Sequence, residues 1–89
     1  MATFKINGVF RITGRGHVLA GDILEGEINA GYLIHLPFKP IPTTLKIKSI
    51  EYIDHLRNKA EIGLIVDTLS GNVLENIERI IGQTVSITL

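Results

Sequence analysis

Eighty-nine residues make a single domain, and at 45% hydrophobic and 20% charged the chain is too apolar to be disordered. Nine basic residues balance nine acidic ones, so it lacks the positive excess from which dedicated nucleic-acid binders draw most of their affinity. No cysteine is present, which excludes disulfides and thiolate metal sites, and no apolar run approaches the roughly eighteen residues of a membrane-spanning helix. The start Met1-Ala2-Thr3-Phe4-Lys5 has no signal-peptide pattern, so a cytoplasmic protein is expected.

Phe4, Ile6, Phe10 and Ile12 fall on even positions, while Lys5, Asn7, Arg11 and Thr13 take the odd ones. That alternation predicts a first strand with one buried face, interrupted at Gly8 by a bulge or a close contact. Gly14-Arg15-Gly16 follows as a turn. A second strand is predicted over 17–28, bent near Gly21, where the phase of Val18 and Ala20 gives way to that of Ile23. Asn29-Ala30-Gly31 reads as a hairpin turn into a third strand over 32–36. The prolines at 37, 40 and 42 make the next segment a loop, because proline cannot donate to a central ladder. A fourth strand is expected over 43–53, a polar turn over 55–59, a largely apolar central strand over 60–69, and a last strand over 84–89. Before the last strand, Asn72 as a cap with Glu75 three residues later predicts one or two helical turns. Val73, Ile77 and Ile81, with Leu74 and Ile80, supply the apolar stripe, and Gly82 stops the helix. Ile77 is expected to plug one end of the fold. Six short strands with bulges predict an all-β closed barrel spanning 1–89, because closure removes exposed sheet edges.

Glycines recur every five residues at Gly16, Gly21, Gly26 and Gly31, in a segment that opens Gly14-Arg15-Gly16-His17-Val18. This segment resembles the second-domain barrel of translational GTPases of the elongation factor Tu type, which carries G-R-G-x-V followed by glycines at the same interval. Ser49-Ile50-Glu51-Tyr52, the run from Ala60 to Val66, and Ile77-Glu78-Arg79 are similar to later pieces of that domain, so the resemblance covers nearly the whole chain. It implies a six-stranded Greek-key β-barrel. The GTPase domain's phosphate loop has no counterpart here, so no nucleotide is expected to bind. Asp22 and Glu25 stand where the family usually has arginines, which argues against docking on ribosomal RNA.

The chemistry-bearing residues are sparse. Gly14-Arg15-Gly16 has the composition of an anion-binding turn, but its glycines suit a plain hairpin turn better. His17, His35 and His55 lie on different elements and do not have metal-ligand spacing; His35 would fall opposite Glu25 as a cross-strand pair. Asp22, Glu25 and Glu27 read as a solvated strand face rather than an acid/base pair. Ser49, Ser70 and Ser86 have no nucleophile-elbow context. Pro37-x-x-Pro40 reads as a rigid loop rather than a polyproline ligand. No enzyme activity, metal or cofactor is expected.

Two surfaces are candidates for partners. Leu24, Tyr32 and Leu33 take family positions that are usually charged, so they form an apolar patch around the 29–31 turn unless bulges re-aim them into the core. Arg15, Lys46, Lys48, Arg57 and Lys59 make a candidate basic patch, with a mixed solvated surface as the alternative. The expectation is a non-catalytic, stand-alone binding or assembly module that contacts protein or itself. An RNA- or ribosome-associated module is the alternative.

Overall fold

The computed structural model describes residues 2–14, 16–38, 42–54, 60–69 and 71–89. Seven antiparallel strands form one sheet: β1 (Ala2–Ile12), β2 (Gly16–Glu25), β3 (Leu33–Leu36), β4 (Thr43–Lys46), β5 (Ser49–Asp54), β6 (Ala60–Val66) and β7 (Thr84–Thr88). A short helix, α1 (Gly71–Asn76), runs into a 3₁₀ turn (Ile77–Ile80) before β7. The strand order is β4-β3-β7-β1-β2-β6-β5, and the sheet curls into a half-barrel around its apolar face.

The expected six-stranded closed barrel is therefore corrected to a half-barrel of seven strands among the described residues, with β4 and β5 at the two ends and no ladder between them there. The reason lies at Ile47–Lys48, where the predicted fourth strand breaks. The Ile47 N–H donates to the Tyr32 carbonyl at 2.9 Å, and the Lys48 N–H donates to the Ile65 carbonyl at 2.7 Å. Successive residues thus pair with opposite ends of the sheet, and β4 and β5 serve one end each. Ile47 is buried at this junction.

The 29–31 segment turns but does not make a hairpin. Gly31 takes φ 93° and the Tyr32 N–H reaches the Asn29 carbonyl at 3.2 Å. Yet β2 is flanked by β1 and β6, and β3 by β4 and β7, so the chain crosses the half-barrel here. His35 consequently pairs with Ser86 and Thr44 rather than with Glu25.

Two register shifts in the β1–β2 ladder decide which side chains face in. Ile6 pairs with Gly21 and Gly8 with Ala20, leaving Asn7 as the extra residue of a bulge. Past that bulge the phase of β1 reverses. Val9 joins the row of Leu19 and Leu64, on the core side, while Phe10 joins Val18 and Ile65 on the opposite face. The even-numbered face expected for β1 therefore holds for Phe4 and Ile6 and fails at Phe10, which is 42% exposed. Gly21 sits beside the bulge because β1 and β2 approach so closely there that any side chain would strike the Lys5 carbonyl.

The core gathers Phe4, Ile6, Leu19, Ile34, Leu36, Leu64 and Ile87, all buried. Ile77 and Ile80 of the helical segment join this core. Asn72, expected ahead of the helix as its cap, is the second residue of α1, which begins at Gly71. The change from α to 3₁₀ geometry brings residues three apart onto one face, which buries Ile77 with Ile80 and leaves Ile81 exposed.

Candidate functional site

Leu24 is the extra residue of the second register shift, between the pairs Thr3–Glu25 and Phe4–Ile23, and it is 55% exposed. Bulges re-aim side chains in this way. Tyr32 and Leu33 are half-buried. Tyr32 packs against the core with its hydroxyl 3.5 Å from the Asn29 amide nitrogen, and Leu33 pairs with Lys46 on one side and Thr88 on the other. The three do not form one patch. β7 and β1 lie between β2 and β3, so Leu24 and Leu33 stand three strand spacings apart, roughly 14 Å along the sheet.

Of the basic candidates, Arg15, Arg57 and Lys59 lie outside the described residues, as do His55, Pro40 and Ser70. Lys46 and Lys48 are exposed, on either side of the break between β4 and β5. Lys48 places its ammonium 3.3 Å from the Asp67 carboxylate, which offsets its charge. Asp22 accepts a hydrogen bond from the Asn7 amide at 3.0 Å and so braces the first bulge.

Two of the histidines that sequence reasoning weighed only as metal ligands or as a partner of Glu25 make side-chain hydrogen bonds elsewhere. His35 lies on the outer row of β3, with Nε2 2.7 Å from the Thr88 hydroxyl and Nδ1 3.4 Å from the Thr44 hydroxyl. His17 is buried, and its Nδ1 accepts the Leu69 N–H at 3.0 Å. That bond leaves the ring proton of the neutral form on Nε2. Burial pushes the His17 pKa down, and the neighbouring Arg11 guanidinium pushes it further the same way. The clue in the sequence was the place of His17 directly before the apolar run Val18-Leu19-Ala20; in the structure 16–21 is buried throughout, and a buried histidine needs a fixed partner.

Two open cavities lie against the helical segment. One, of about 240 Å³, is lined by Pro37, Phe38, Asn76, Arg79, Ile80 and Gln83. The other, of about 190 Å³, is bounded by Val9, Phe10, Arg11 and His17 from the sheet and by Leu74, Ile77 and Glu78 from the helical segment. No group of three or more metal-ligating side chains converges among the described residues. No protein-family profile, no curated protein and no solved structure matches this chain.

Proposed function

We propose that this chain is a non-catalytic binding or assembly module of the cytoplasm that works by protein–protein contact, self-association included, with Leu24 at the contact. One observation carries the reading: a bulge holds a large aliphatic side chain out in water, 55% exposed, on a strand whose first six residues are buried. Covering such a side chain removes apolar surface from water, which favours association. A chain with no net charge also presents little electrostatic barrier to association. The five-residue glycine spacing supports kinship with the second-domain barrel of translational GTPases: Gly16, Gly26 and Gly31 take positive φ, and Gly21 has no room for a side chain.

The test is sedimentation velocity over a concentration series, with Leu24→Glu as the variant. Association is expected in the wild type, to be lost in the variant without change in melting temperature, and to respond little to salt. Association that survives Leu24→Glu would overturn the reading. Binding to RNA that falls steeply with salt would replace it with the phosphate-driven alternative.

A further inference from the structure

β1 is longer than the strand that pairs with its outer side. β7 pairs along Ala2–Lys5 only, and the Ile6 N–H and C=O then bond Gln83 and Gly82. β2 follows the other side of β1 as far as Ile12. From Gly8 to Ile12 the side turned away from β2 therefore carries no ladder among the described residues. Alternate residues of such an edge present N–H and C=O groups to water, which makes it a template for another strand.

The cavity of about 190 Å³ opens along this same stretch. Its walls are mainly apolar, and two of them, Phe10 at 42% and Leu74 at 46%, are exposed. Pockets that enclose a small-molecule ligand run to roughly 300 Å³ and above. This one is sized for a single aliphatic or aromatic side chain. Arg11 lies beside it, exposed and without an ion pair among the described residues, and Glu78 gives the opposite wall the opposite sign.

We propose that the edge of β1 from Gly8 to Ile12 accepts an extended segment of a partner protein as an added antiparallel strand, with an apolar side chain in the adjoining cavity and a carboxylate opposite Arg11. Val9 and Arg11 share a face, so the two recognised residues of the guest also lie two apart. Antiparallel pairing puts the guest residue facing Arg11 before the one facing Val9, which gives the order acid, any residue, apolar. Glu78 disfavours a second acid at the apolar position. A second copy of this chain pairing through the same edge does not meet the requirement, because β1 carries Lys5 and Arg11 and no acid. The inference deepens the protein-contact reading but uses a surface about 20 Å along β1 from Leu24.

The probe is a capped, fluorescein-labelled peptide, Lys-Thr-Glu-Thr-Leu-Thr-Lys, followed by polarisation against the full chain, with amide exchange as the structural readout. Saturable binding and slowed exchange at 8–12 are expected. Arg11→Glu should weaken binding about tenfold, and exchanging the peptide's Glu for Lys should restore it on that variant. N-methylation of the amide that pairs with β1 should abolish binding without touching the protein. No saturable binding up to about 1 mM, or binding indifferent to N-methylation or to Arg11→Glu, overturns the proposal. Leu24→Glu should leave peptide binding unchanged, so failure here with Leu24-dependent association intact removes this inference alone.

Discussion

His17 is the buried polar side chain among the described residues, and it acts as a staple. Its Nδ1 accepts the Leu69 N–H and so ties the approach to α1 onto β2. Only the unprotonated nitrogen can accept that bond. Since burial holds the folded pKa below its ordinary value, the unfolded chain takes up a proton first as pH falls through about 6.5. The unfolded state then binds more protons than the folded one, and stability falls with falling pH. Melting curves between about pH 7.5 and 5.5 should show this loss, and His17→Phe should flatten it. The same substitution leaves the Leu69 N–H without a partner, at a cost of about 1–3 kcal/mol at neutral pH. Gly21 makes a second test at this scale. Gly21→Ala drives a methyl into the Lys5 carbonyl and should cost about 1–3 kcal/mol. Gly8→Ala, one residue past the bulge, meets nothing within 4 Å and should be neutral or stabilising by up to about 1 kcal/mol. Equal effects at the two positions would mean that β1 and β2 do not approach at Gly21.

The helical segment shows how an element's apolar stripe can be read only in part when its geometry is not known: of the expected stripe, Ile77 and Ile80 are buried while Leu74 and Ile81 are exposed. Ile77 and Ile80 point into the core, as a three-residue interval allows, and Ile81 turns out to solvent once the backbone leaves the helix. Ile77→Ala should cost about 2–5 kcal/mol in a denaturant melt, the range for truncating a buried isoleucine. Ile81→Ala should cost well under that, since a side chain 42% exposed loses little burial. If the two are equal, the segment does not cap the half-barrel. In β1 the alternation was legible as far as Ile6. It failed beyond because one extra residue, Asn7, exchanges the inner and outer faces of everything that follows.

Across the whole molecule, the Ile47–Lys48 junction joins the two ends of the sheet. Its backbone bonds reach Tyr32 before β3 and Ile65 in β6, and the Ile47 side chain is buried between them. Ile47→Ala should therefore cost about 2–5 kcal/mol and speed amide exchange in β3 and β6 together. Faster exchange confined to β3 and β4 would show that the two ends open independently. The Lys48–Asp67 pair at the same junction is exposed on both sides, and Lys48→Ala should change stability by less than about 1 kcal/mol.

Composition and local alternation by themselves determined that this chain is β-rich, roughly where most of its strands lie, and that Phe4 and Ile6 belong to the core. Those properties are local: a strand's neighbours in sequence decide which face each side chain shares. The tertiary structure decided the rest. It placed β3 between β4 and β7 instead of beside β2, split one predicted strand between two ends of the sheet, and turned Leu24 and Phe10 outward through two bulges. Ladder bonds join backbone N–H and C=O groups, which are the same for every residue but proline, so local alternation shows which residues share a face and not which strand lies beside which.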